Sequence, residues 1–152
     1  MRLFIAEKPN LAKAIANGLG NGRTESGCIR CGDDTVTWCF GHMLELAWPQ
    51  EYKPEYAQWR REHLPIIPSE WKYKVKKDSA KQLAVIGSLL READSVVNAG
   101  DPDREGQLLV DEVLEHFGYR GPVARIWLPS LDDKSVHIAL NDIRDNAPYA
   151  PL

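Results

Sequence analysis

A chain of 152 residues, 43% hydrophobic and 27% charged, has the length and composition of one globular domain with a proper core. No apolar run approaches the ~18 residues of a membrane span, since residues 83–90 are broken by Gly87 and Ser88, and Glu7 and Lys8 interrupt the apolar start too early for a signal peptide. The net charge of −3 argues against a protein that coats nucleic acid by bulk electrostatics, but not against one that grips it locally beside an acidic metal site; the cytoplasm is the expected compartment.

Residues 2–6 form an apolar run suited to a buried strand. Pro9 then opens a helix whose apolar face is Leu11, Ile15 and Leu19 with Ala12, Ala14 and Ala16, and the glycines of 18–22 end it. Residues 28–31 and 35–40 read as two strands about a Gly32-Asp33-Asp34 turn. The same stretch contains Cys28, Cys31, Cys39 and His42 in a C-x2-C-x7-C-x2-H spacing. Its outer gaps suit zinc, whereas the middle gap is short for a ribbon or finger. Residues three apart on a strand face opposite sides, so buried, reduced thiols are the expected state.

The texture changes over residues 41–77, which hold three of the five Trp, three of the five Tyr and four prolines. Prolines stop long regular elements, and linkers lack large aromatics, so an aromatic, Pro-rich insertion packed on the core is expected. Helical spacing resumes with Leu83, Ile86, Leu89, Leu90 and Ala93. Residues 95–99 are strand-like and close at Gly100-Asp101-Pro102. Leu109, Val110, Val113, Leu114 and Phe117 stripe a further helix that stops near Gly118. Residues 123–128 make another strand and 132–144 a last helix. Strands alternating with helices predict an α/β layer with a mainly parallel sheet, in which ligands sit beyond the carboxyl ends of strands at a switch point. Two of these strands end in acid, at Glu7 and at Asp101.

Asp101-Pro102-Asp103-Arg104-Glu105-Gly106 crowds three carboxylates into five positions. Two like charges ~4 Å apart repel by ~1 kcal/mol in water and ~4 kcal/mol near a protein surface. Such a cluster calls for a cation, a proton or full solvation. Solvation corresponds to an acidic helix start held by the helix dipole. A tight Gly-Pro turn with one or two carboxylates also matches the ligand set that Mg²⁺ prefers. Glu7 alone reads as a charge near a helix N-terminus. Beside the Asp101 strand it becomes a candidate ligand or proton donor, and Lys8 a point charge for a phosphate.

Glu after the first strand and Asp-x-Asp after a later one resemble the Toprim signature, which occurs in topoisomerases of types IA and II, primases and small nucleases. Residues 3–9 (LFIAEKP), 37–42 (TWCFGH), 64–68 (LPIIP) and 98–107 (NAGDPDREGQ), in this order, resemble the type IA DNA topoisomerases, most nearly the topoisomerase III group. The likeness runs along nearly the whole chain. Asn10 departs from the usual Ser after Glu-Lys-Pro, though both are small polar residues able to cap a helix. The resemblance implies a Toprim (Rossmann-like) fold over residues 1–152 with the insertion at about 41–77, arch and tyrosine-bearing domains lying downstream. It implies Mg²⁺-dependent cleavage and religation of one DNA strand through a 5′-phosphotyrosine formed elsewhere, so that this chain alone is inactive. Asp101 and Asp103 would hold Mg²⁺ with Glu105 in support, Glu7 would be ligand or acid to the leaving 3′ oxygen, and Lys8 would meet the scissile phosphate.

In the insertion, residues 71–76 (WKYKVK) alternate at period two, so a strand would present Lys72 and Lys74 on one face and apolar groups on the other. Trp59-Arg60-Arg61 sets an aromatic beside two cations. Aromatics stack on unpaired bases and cations track phosphates; the bland alternative is a solvated face with core tryptophans. By resemblance Trp59 would contact single-stranded DNA, and Arg60, Lys72 and Lys74 near it in sequence are candidate phosphate contacts from the residue pattern. His42 is equally a structural histidine or a site residue. A helicase or single-strand-binding partner is left open, and the expected location is the cytoplasm at the nucleoid. Rival readings are a stand-alone Toprim nuclease or primase fragment, and a non-enzymatic binding module.

Overall fold

The computed structural model describes residues 1–20 and 22–150. The chain runs through β1 (Arg2–Ala6), α1 (Pro9–Gly18), β2 (Arg23–Glu25), β3 (Cys28–Cys31), β4 (Asp34–Trp38) and β5 (Leu44–Leu46). A helical turn α2 (Pro49–Tyr52) and two short 3-10 turns lead to β6 (Tyr73–Val75). There follow α3 (Ala80–Glu92), β7 (Ser95–Ala99), α4 (Arg104–His116), β8 (Val123–Arg125), α5 (Asp133–Leu140) and β9 (Arg144–Asp145), ending in a 3-10 turn at Ala147–Tyr149.

All of β1 except Arg2 is buried because it lies at the centre of a seven-stranded sheet ordered β2-β3-β4-β1-β7-β8-β9. The four central strands are parallel, and antiparallel strands close both flanks. Period-two alternation divides the core. Leu3 and Ile5 meet α3 and α4 through Leu83, Ile86, Val110 and Val113, while Phe4 and Ala6 meet α1 and α5 through Leu11, Ile15 and Val136. Strands covered on both faces read as continuous apolar runs, which is the pattern of β1 and β7. Ile15 is wholly buried, so Ile15→Ala would cost about 2–5 kcal/mol.

The cysteines follow the same division. Cys28 and Cys39 lie in one core and Cys31 in the other, all buried and reduced, so they cannot share a zinc ion with His42. The expected hairpin about residues 32–34 is β3–β4.

Three expectations need correction. The last helix stops at Leu140 instead of 144, where Asn141 takes the cap and Arg144–Asp145 returns as β9 against β8, satisfying its outer edge. The strand expected over 123–128 pairs only over 123–125, because its partner β7 turns away at Gly100. In the insertion, the strand expected over 71–76 pairs only over Tyr73–Val75, and its aromatics Trp71 and Tyr73 are exposed while Lys74 and Lys76 are half-buried. The reason is that β6 pairs only with β5, so no layer covers its aromatic face. Of the glycine-rich stretch 18–22, Asn21 lies outside the described residues; α1 ends on Leu19 as cap, followed by Gly20 at φ 97°.

Candidate functional site

The register of the two central strands builds the site. Ala6 pairs with Ala99, so Glu7 and the turn at Gly100-Asp101 leave the sheet side by side. The helix after β1 covers one face and the helix after β7 the other, which makes this gap a switch point of the sheet. Glu7 Oε2 accepts a hydrogen bond from the Asp101 backbone N at 3.0 Å. Lys8 Nζ donates to Asp101 Oδ2 at 2.9 Å and lies 3.8 Å from Glu7 Oε1. The hydrogen bond to Asp101, then the charges of Asp101, Glu7 and Asp103, raise the Lys8 pKa.

Asp103 is the N-cap of α4, its Oδ1 accepting from Gly106 N at 2.7 Å. The helix start is pressed onto the acidic turn. A Cβ on Gly106 would lie 2.4 Å from the Asp101 N, and one on Gly100 would lie 2.0 Å from the Gly106 carbonyl oxygen. Both positions therefore exclude any side chain.

Beneath the turn lies Arg125, a residue that sequence reasoning passed over. Its guanidinium is fully buried and donates to the carbonyls of Gly100 and Asp101, both at 2.7 Å. It also reaches the Asn98 carbonyl at 3.2 Å and that of Ile126 at 3.1 Å. Burial lowers its pKa, opposed chiefly by the charge of Asp111. Asn98 adds a second brace, accepting from Gly100 N at 3.0 Å and donating to Asp111 at 3.2 Å. The available signal was an arginine inside the apolar run 123–128, where a buried charge demands several acceptors.

Glu105 stands apart from these groups. It is exposed and faces His42, whose Nε2 is 3.3 Å from Glu105 Oε1 and whose Nδ1 is 3.3 Å from Glu112 Oε2. His42 thus joins the start of the insertion to α4. Among the described residues no three His, Cys, Asp or Glu side chains converge as a ready-made metal cage. What converges is Glu7 and Asp101 with the Lys8 ammonium standing between them as a cation. This donor set of hard oxygens fits Mg²⁺, which takes one or two carboxylates and keeps several waters.

The insertion exposes its aromatics. Trp59 is 86% exposed, and Trp48, Trp71 and Tyr73 are more than half exposed. Arg60 donates to Gln58 Oε1 at 2.8 Å and lies 3.6 Å from Glu62. Lys72 lies 5.5 Å over the Tyr52 ring. Lys74 is ion-paired to Glu51 at 3.0 Å and stacks 5.8 Å over Trp48. Among the described residues none of these groups hydrogen-bonds or ion-pairs with the acidic turn.

Comparison with known proteins identifies relatives of the whole chain. A family model described as the Toprim domain matches residues 2–131. A Haemophilus influenzae protein named DNA topoisomerase 3 is 49% identical over all of this chain and 24% of its own length. Its Vibrio cholerae counterpart is 46% identical over 99% of the chain and 24% of its own length, and that of Bacillus subtilis 33% over 99% and 21%. The chain spans about a quarter of the length of the curated relatives it matches. The solved structure of full-length topoisomerase I from Thermotoga maritima superposes with a TM-score of 0.60 at 18% identity, over 94% of this chain and 21% of that one. That likeness is one of fold. Among the described residues no helix is long and apolar enough to cross a membrane.

Proposed function

The chain belongs to the Toprim domain family, and on that premise we propose that it is the Mg²⁺-binding domain of a type IA DNA topoisomerase of the topoisomerase III kind. The domain comprises residues 1–152, with 41–77 as its insertion. It serves cleavage and religation of a single DNA strand through a 5′-phosphotyrosine whose tyrosine lies outside these residues. One observation carries the reading: Glu7 and Asp101 meet at the ends of adjacent parallel strands with Lys8 between them.

Asp101 and Asp103 would hold Mg²⁺, with Glu105 in support from the first turn of α4. The bound ion supplies charge neutralisation at the phosphate and orients it. The rest is done by the chain's own side chains. Glu7, oriented by the Asp101 N–H, delivers a proton to the leaving 3′ oxygen or adds a ligand. Lys8, half exposed and fully protonated, meets a phosphate oxygen as a point charge. A phosphotyrosine conserves the energy of the phosphodiester, so resealing needs no nucleotide cofactor. Trp59, Arg60, Lys72 and Lys74 would carry the single strand, the aromatic by stacking and the cations by phosphate contact. The protein works in the cytoplasm, at the nucleoid.

A chimera tests this. This chain replaces the corresponding N-terminal quarter of the Haemophilus influenzae relative, and the product is incubated with single-stranded DNA and Mg²⁺, then denatured. The expected result is a covalent protein–DNA adduct, lost in the Asp101→Ala chimera, and no adduct from the chain alone. Hydrolysis of the strand by the unfused chain, with no adduct from the chimera, would identify a nuclease instead.

A further inference from the structure

We propose that the cavity between the start of α4 and the Trp127–Tyr149 pair receives one unpaired nucleobase, neighbouring the phosphate handled at the ends of β1 and β7. The proposal rests on the functional reading above and adds a binding site to it. Trp127, just past β8, is 42% exposed although Arg125 and Ile126 immediately before it are buried. Its ring stacks on Tyr149 with centroids 5.4 Å apart and planes at 25°. The buried Arg125 guanidinium lies 5.1 Å from the centroid of the same indole. Because Arg125 also grips the acidic turn, the indole and the turn are fixed to one rigid group.

The cavity measures about 470 Å³ and is bordered by Asp103, Arg104, Leu108, Trp127, Pro148 and Tyr149. This is within the ~300–1,000 Å³ of small-ligand pockets and has their make-up, an apolar and aromatic wall with a few polar groups. The occupant follows from charge and continuity. The wall shares Asp103 with the acidic turn, so whatever enters is next to the group held there. A base is uncharged, every base has a stacking face, and the phosphate flanking it can meet the exposed Arg104. The larger cavity on the other side of the pair, about 540 Å³ and bordered by Ile138 and Arg144, does not reach the acidic turn.

The test uses the unaltered chain, Mg²⁺ and a single-stranded oligonucleotide carrying 5-iodouracil at each position in turn. Irradiation should crosslink Trp127 or Tyr149 from one position, identified by mass spectrometry. An abasic nucleotide at that position should weaken binding by about tenfold. Trp127→Ala should weaken it equally, and the two together no further. Binding with crosslinks only elsewhere, or with fully additive losses, overturns the pocket and leaves the functional reading standing. No binding at all by the unaltered chain overturns both. The crosslink arm needs no variant, so a Trp127→Ala protein that fails to fold does not rescue the proposal.

Discussion

The Glu7 carboxylate accepts a hydrogen bond from the backbone N of Asp101 at 3.0 Å, joining the ends of two adjacent parallel strands through 94 residues of chain. A side chain in that role is both brace and charge, and the two can be separated. Glu7→Gln keeps an acceptor for the Asp101 N–H and loses the charge. Glu7→Ala leaves a half-buried donor without a partner, at a cost of about 1–3 kcal/mol. Urea unfolding in chelator should therefore give a midpoint near wild type for Gln and a clear drop for Ala. Equal midpoints for the two variants would mean that water replaces the carboxylate and that the brace is nominal.

Arg125 should be the most expensive single residue near the site. Its guanidinium satisfies the Gly100 and Asp101 carbonyls from below and balances Asp111. Arg125→Met removes those donors and leaves the Gly100 and Asp101 carbonyls without partners, at a cost of about 1–3 kcal/mol for each buried acceptor left unmade. Arg125→Lys retains a charge but only one ammonium head, so it should fall between. Denaturant unfolding measures both, with an unchanged slope required for the comparison. A Met variant within about 1 kcal/mol of wild type would show that the turn holds its shape without the arginine.

Much of this site is legible in the sequence, because it depends on strand ends. An apolar run stopping at Glu7 and another stopping at Asp101 identify two strand ends, and a parallel sheet places such ends together. The helix stripes were legible for the same reason: Leu83, Ile86, Leu90 and Leu109, Val113 repeat at a period only a helix explains. What escaped was determined by partners far away in the chain. The β9 strand is two residues long and exists only because β8 has a free edge, which no local pattern announces. Arg125 reads as an interruption of an apolar run until the carbonyls it serves, 24 and 25 residues earlier, are known. Likewise, Asp103 as cap and Asp103 as ligand are indistinguishable in sequence, because both need a carboxylate ahead of a helix.

Cys39 gives the fold a pH signature. Burial pushes its thiol up to about 12 from the ordinary value of 9.0. Above pH 9 the thiol of the unfolded chain ionises while that of the folded chain stays protonated. The unfolded state then binds fewer protons, so stability falls as pH rises from 9 towards 12, by up to ~1.4 kcal/mol per pH unit for this group. Below pH 9 the contribution is complete and flat. In Cys39→Ala the stability difference from wild type should shrink steadily across this window. A difference that stays constant from pH 8 to 11 would mean that the thiol titrates in the folded chain as it does in water.

The acidic turn makes a prediction with two opposite signs. Lys8 is the cation that neutralises Glu7 and Asp101 when no metal is present, and Asp103 is a cap whose charge adds to theirs. Lys8→Met removes the internal cation. In chelator it should lower stability modestly, about 0.2–1 kcal/mol, because the pair is half exposed and water screens it. With Mg²⁺ it should show a larger upward shift in melting temperature than wild type, since the ion no longer competes with an ammonium. Asp103→Asn behaves in the reverse sense. Asn caps α4 about as well as Asp, so the melt in chelator should be unchanged or slightly raised by relief of repulsion. Its response to Mg²⁺ should be smaller, because one anionic ligand has gone. Thermal melts of the three proteins across millimolar Mg²⁺ read both effects in one experiment. Identical Mg²⁺ shifts in wild type, Lys8→Met and Asp103→Asn would place the ion elsewhere and leave the turn as a capped helix start bound to a lysine.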